Sequence, residues 1–277
     1  MIRRFLAVVL LAAAPFGAVC AQFDHAHAAW SALLGKHVVV IEGGKASQVR
    51  YAGFARDRAA LEAYLDSLSG VSEAQFNGWS KAQRMSFLIN AYNAYTVEKI
   101  LTRYPDLKSI WDFGKVFGNP FKDRFFTLLG RAGTLDRIEH DLLRARGAYD
   151  EPRVHFALNC ASIGCPMLRE EAYVAARLDA QLEEQAVRFL SDRSRNRYDA
   201  QQGRLEVSRI FDWFRDDWTS GYRGLDGKAA PIRSREQYFA RYAKLLSDDP
   251  AAQRLVAEGK APLAFLEYDW SLNDAQR

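Results

Sequence analysis

The stretch "SKAQRMSFLINAYNAYTVEKILTR", residues 80–103, decides how the chain folds. Ser80 is a good N-cap, and Tyr104-Pro105 ends the helix because the residue before a proline disfavours the α region. Phe87, Leu88, Ala91, Tyr95 and Ile100 help outline an apolar face, and nothing from Phe87 to Val97 is charged. A helix that is apolar nearly all round is a buried helix. Asn90 and Asn93 interrupt that run, and a buried asparagine without partners costs about 1–3 kcal/mol. Two readings follow. The asparagines pin a neighbouring loop or backbone, the commoner arrangement for buried polar side chains, or they line a site.

Outward from this helix, residues 22–35 and 57–69 carry Ala and Leu at helical spacing. Between them "HVVVIEGGKASQVRY" reads as two short strands around Gly43-Gly44. "RFFTLLGRAGTLDRIEHDLLR" suggests a strand, a glycine turn and a helix capped by Thr134 that runs to about Ala145. Residues 169–192 read as a long amphipathic helix, and 204–207 as a strand before a helix capped by Ser208. Residues 234–247 read as helical, and "PLAFLEYDWSLN" as a closing strand. No stretch has linker composition. The expected fold is α+β, a mostly helical single domain over 22–277 with a small β-sheet.

The first 21 residues stand apart. A basic "MIRR" precedes the uncharged "FLAVVLLAAAPFGAVCA", with Val19-Cys20-Ala21 as a small-x-small exit, which is the form of a secretory signal peptide. A retained anchor is one alternative, but about 17 apolar residues is the lower limit for spanning a bilayer. Lipidation at Cys20 is the other, and bulky Val19 stands where it expects a small residue. The expectation is export to the periplasm or the extracellular space, with no stable membrane insertion after cleavage. The formal charge is +4, from 38 basic and 34 acidic residues. Loss of Arg3 and Arg4 leaves 36 against 34, or +2, which gives no reason to expect a nucleic-acid partner. Without Cys20, the exported chain keeps two cysteines, Cys160 and Cys165, in an oxidising compartment.

Glu139 is the least ordinary residue of its helix. Leu135, Ile138, Leu142 and Leu143 form an apolar stripe, and Glu139 falls inside it, where burial without a partner raises a carboxyl pKa. His140 lies about 100° round the helix, on the line Asp136–His140–Arg144.

"VHFALNCASIGCPML", residues 154–168, holds both cysteines. His155 and Asn159 share a face whether "RVHFALN" is helix or strand, and Cys160 points elsewhere in both. On that ground His155 is a poor partner for Cys160, and His140 is the best placed by elimination. Five residues of continuous helix separate the Cα atoms of Cys160 and Cys165 by about 7.5 Å, too far for a disulfide. Gly164 and Pro166 argue against continuous helix, so a turn can bring the thiols together. A C-x4-C pair without a second pair is not a zinc site. Neither a nucleophile elbow, a phosphate loop nor a dinucleotide fingerprint occurs, so no metal or cofactor is expected.

Four segments, "FLINAYNAYTVEKIL", "LDRIEHDLL", "RVHFALNCASIGCPML" and "SRIFDWF", resemble in order and spacing the domain of unknown function 547 (DUF547) family, over about residues 75–215. The closing "YDWSLN" is of the same kind. The resemblance implies a role for Cys160 beyond bridging, since members such as the plant ones usually keep a cysteine there while the Cys165 position can be serine. It also raises His140, because the Glu139-His140 pair belongs to the recurrent motif.

Two function classes remain. In the first, a Cys-dependent hydrolase or acyltransferase acts on an acyl, amide or thioester carbonyl of a small molecule or peptide. Cys160 attacks, His140 activates it, and Glu139 faces substrate or serves structure, because neighbouring side chains diverge on a helix. Asn90, Asn93 or Asn159 would bind substrate as donors to an oxyanion. In the second class the chain is a non-catalytic binding or scaffold module with a buried polar network and an optional Cys160–Cys165 disulfide.

Overall fold

Residues 22–114 and 118–275 are described by a computed structural model. The signal-peptide reading falls on residues 1–21, outside the described residues. The long helix Lys81–Leu101 opens on a capping box. Ser80 Oγ accepts the Gln83 N–H at 3.2 Å, and Gln83 Oε1 accepts the Ser80 N–H at 3.0 Å. Every residue from Met85 to Val97 is buried, as the uncharged run predicts. Lys99 is buried too, its charge held by Asp123 at 2.7 Å and by the rings of Phe113 and Phe125 at 4.8 and 4.7 Å.

Around this helix pack Ala28–His37, Tyr51–Arg56 and Arg58–Ser69, building a core with Trp30, Phe54, Phe87 and Ile100 inside it. A second core gathers Phe156, Phe189, Phe211, Trp218 and Tyr238 from the later part of the chain. The segment Val154–Ala161 runs between the two: Val154, Ala157, Leu158 and Ala161 belong to the first and Phe156 to the second. This placement puts the cysteine segment at the seam.

The strands form three small pieces. Val38–Ile41 pairs antiparallel with Ala46–Val49, the expected hairpin. Phe126–Leu128 pairs with Arg131–Gly133, a second strand where a bare turn was expected. Leu129 and Gly130, at φ 54° and 71°, supply the two left-handed residues that close a two-residue hairpin. Arg204–Val207 lies between antiparallel Arg197–Asp199 and parallel Leu263–Phe265, so the closing strand is shorter than its apolar run.

The stretch 169–192 departs from expectation, since only Leu178–Leu190 is α-helix. Upstream backbone groups are taken by side chains instead. Tyr173 N–H bonds Asn90 Oδ1 at 3.0 Å, and Val174 N–H bonds Gln181 Oε1 at 2.9 Å. Those bonds replace the intrahelical ladder that a helix start needs. Among the described residues no helix is long and apolar enough to cross a membrane, and no group of three or more His, Cys, Asp or Glu could hold a metal ion.

Candidate active site

The segment carrying the cysteines has neither of the periods its sequence allows. A 3₁₀ turn, Pro152–Phe156, is followed by irregular backbone from Ala157 onward. Side chains of the long helix and the C-terminal segment hold that backbone in place. Asn93 Nδ2 donates to the Ala157 carbonyl at 2.9 Å, and Asn93 Oδ1 accepts the Asn159 N–H at 2.8 Å. Asn159 in turn donates to the Pro166 carbonyl at 2.8 Å and accepts the Ala161 N–H at 3.0 Å. Asn273 reaches Asn159 Oδ1 at 3.3 Å and gives its own N–H to the Ala161 carbonyl at 3.1 Å. Asn90 donates to the Tyr173 carbonyl at 2.7 Å. All three candidate asparagines are buried on backbone groups, and none lines the cavity beside Cys160.

Immediately after Cys160 the chain turns at Ala161, whose φ of 66° lies in the left-handed region. For a residue with a Cβ this costs on the order of 1 kcal/mol or more, and the asparagine bonds on either side hold it there. Gly164 is required by close approach: a Cβ there would meet Asp269 backbone atoms and the Tyr268 ring at 3.0 Å. That approach sets Tyr268 over the sulfurs.

Cys160 and Cys165 are joined as a disulfide, with Cα atoms 6.2 Å apart, so the turn at Gly164 does bring them together. The Tyr268 hydroxyl lies 3.2 Å from Cys160 Sγ and 3.1 Å from Cys165 Sγ, and Ser162 Oγ lies 3.0 Å from Cys160 Sγ. Both cysteines line a cavity of about 380 Å³ that is also lined by Glu139, His140 and His155. The three residues proposed from sequence for catalysis, Cys160, His140 and Glu139, therefore share one cavity.

Glu139 and His140 reach the same wall because Arg137–Leu143 is a π-helical turn, closed by the Arg144 N–H on the Glu139 carbonyl at 2.9 Å. Such wide turns turn less per residue than the α-helix, so neighbours diverge less, and they recur at functional sites. Burial pushes the Glu139 carboxyl up from 4.5 to about 7, against the pull of Arg144 and a hydrogen bond from Tyr92. The folded state thus favours the protonated acid. Its contribution to stability is full below about pH 4.5 and is lost as pH rises through about 7.

His140 is less free than its position suggests. Arg144 Nη1 lies 2.5 Å from His140 Nδ1. A guanidinium can only donate, so Nδ1 is the acceptor and Nε2 carries the hydrogen, facing Asp136 Oδ1 at 3.7 Å. Burial and Arg144 lower its pKa. The neutral ring then has no spare lone pair to take a thiol proton.

His155 is the opposite case. Its Nε2 lies 2.7 Å from Asp217 Oδ2, and its ring stacks on Phe214 with centroids 4.0 Å apart. Burial would raise Asp217, but hydrogen bonds from His155 and Arg144 bring it down to about 2, so it is an ionised acceptor. The hydrogen on His155 is thereby placed on Nε2. Burial lowers the His155 pKa despite Asp217, and Nδ1 has no hydrogen-bond partner among the described residues. Sequence periodicity set His155 apart from Cys160. The irregular backbone after Phe156 removes the premise, and both line the same cavity.

Asp217, Tyr268 and Trp213 were not singled out from sequence. Asp217 lies 62 residues from His155, and Tyr268 lies 108 from Cys160, so no local spacing links them. The "YDWSLN" segment was the nearest signal for Tyr268.

Residues 76–190 match the model of the family described as protein of unknown function, DUF547. The match begins where the resemblance begins and stops short of Ser208–Phe214, Asp217 and Tyr268. No curated protein and no solved structure matches the chain.

Proposed function

We propose that the DUF547 segment at residues 76–190, closed over by Asp217 and Tyr268, forms the active site of an exported thiol-dependent hydrolase or acyltransferase. Cys160 is the nucleophile, His155 the base and Asp217 the group that orients the base. One observation carries this reading: a single cavity holds Cys160 and His155, and His155 is fixed by Asp217 at 2.7 Å. A nucleophile, a base and an orienting acid is the general logic of activated-nucleophile sites.

The disulfide is the resting form. Two equivalents of a thiol reductant, or one dithiol, convert it to two thiols and leave as a disulfide themselves. His155 Nδ1 then takes the Cys160 proton. The thiolate attacks the carbonyl carbon, a C–S bond forms, and the carbonyl electron pair moves to oxygen beside the Tyr268 hydroxyl. Collapse expels the leaving group, which takes the proton from His155. Water or an acceptor alcohol or amine next gives a proton to His155 and attacks the thioester, releasing Cys160. Glu139, which titrates near neutrality in the same cavity, meets a polar group of the substrate. His140 acts as a donor held by Arg144.

Alkylation of the reduced protein by iodoacetamide across pH tests the assignment. A His-paired thiol reaches half its maximal rate well below the free-thiol value of about 8.5, and Asp217→Asn moves that midpoint back towards it. A midpoint near 8.5 in both proteins contradicts the reading. The second reading, a binding or scaffold module, draws on the closed disulfide and the backbone-bound asparagines. It predicts that Cys160 carries no special reactivity.

A further inference from the structure

The cavity has a mouth that the chemistry above does not use. Trp213 and Trp270 stack with centroids 5.7 Å apart at 25°, and Trp111 meets Trp270 edge-on at 5.3 Å and 82°. Trp111 and Trp213 are 40% and 45% exposed. Open indoles of this size, gathered at one cavity, mark a binding surface more than a packing need. Tyr268 adds its ring 4.9 Å from Trp213.

The polar wall beneath them is acidic. Asp136 and Glu139 line the cavity, and no Lys or Arg does among the described residues. Two nearby cations are spent: Arg144 Nε and Nη2 donate to Asp217 at 2.6 and 3.3 Å and its Nη1 faces His140, while Arg195 donates to Asp192 at 2.7 Å and to the Cys165 carbonyl. An anionic ligand would meet the Asp136 carboxylate, joined by Glu139 as it ionises above about pH 7, and no lysine or arginine in the lining. A positively charged one meets aromatic quadrupoles at the mouth and the Asp136 carboxylate at the wall, and both attract it.

We propose that the Trp111–Trp213–Trp270 mouth binds an organic cation, a quaternary or protonated amine, carried on the substrate or its leaving group. The word substrate rests on the active-site reading above; the binding itself does not. The test therefore uses the oxidised protein, with the disulfide intact and no thiol chemistry. Choline and its uncharged isostere dimethylbutanol are titrated by tryptophan fluorescence and calorimetry. Choline is expected to bind at least about tenfold more tightly than the isostere. Trp213→Ala and Asp136→Asn, both at partly open positions, each weaken choline about five- to tenfold and leave the isostere nearly unchanged. Equal binding of the two probes overturns the proposal. So does tighter binding of butyrate, saturable binding of glucose without choline, or no saturable binding of choline. Cys160 reactivity without choline binding fails the cation site alone. Choline binding without Cys160 reactivity fails the enzyme reading alone.

Discussion

Cys160→Ser is expected to lower the hydrolysis of a generic acyl thioester by the reduced protein at least about a thousandfold, the usual scale for loss of a nucleophile. Cys165→Ser behaves in the opposite way. It keeps the nucleophile and removes the partner that caps it, so its rate equals that of the reduced wild type and no longer depends on reductant. The bridge closes a loop of only five residues, which stabilises by about 2 kcal/mol in the chain-entropy model, so the variant still folds. The base is assigned in the same assay. Asp217→Asn is expected to cost about a hundredfold or more by releasing the His155 tautomer, while His140→Asn costs less than tenfold, because both His140 nitrogens are already committed. A Cys165→Ser variant as inactive as Cys160→Ser would point to disulfide exchange in place of acyl transfer. Full activity in Cys160→Ser would remove the nucleophile altogether.

Arg153→Ala is expected to destabilise the protein by about 3–5 kcal/mol, the range for breaking a buried ion pair from one side. The Arg153 side chain is 6% exposed and that of Glu151 is fully buried. Arg153 Nε and Nη2 donate to the two Glu151 oxygens at 2.9 and 2.8 Å, and Nη2 and Nη1 reach Asp179 and Glu183 at 2.6 and 3.0 Å. The Tyr222 hydroxyl closes the set on Glu151 at 2.7 Å. Without the guanidinium, Glu151 is left as a buried carboxylate with Tyr222 as its remaining side-chain donor. Because Arg153 is the second residue of the 3₁₀ turn that carries His155, the loss also loosens the site. Urea unfolding checks this, and a change below about 1 kcal/mol would mean that the cluster is solvated in solution.

Some of this was readable from the residues and some was not. The helix Lys81–Leu101 was legible because its cap, its period and its proline stop each act on residues only a few positions away. Glu139 was legible because a carboxylate in an apolar stripe is a local contradiction, and folding resolves it by raising its pKa. The surroundings of the two histidines were not. Both periodic readings of "RVHFALN" separate His155 from Cys160, yet the backbone after Phe156 follows neither, because Asn93 and Asn273 hold it from distant parts of the chain. The ties of Arg144 and His155 to Asp217 likewise depend on distant parts of the chain meeting, whereas Asp136, His140 and Arg144 already share one line of a helix. The helix expected over 169–192 failed at its start for a related reason: Asn90 and Gln181 take up the backbone groups there.

The most direct measurement of the central claim is a trapped acyl-enzyme. Reduced and oxidised protein are each mixed with an activated acyl thioester, quenched in acid, and weighed intact before peptide mapping. One acyl group on Cys160 in the reduced protein, and none in the oxidised protein, is the predicted result. No adduct, or an adduct on Cys165 with Cys160 free, would contradict it.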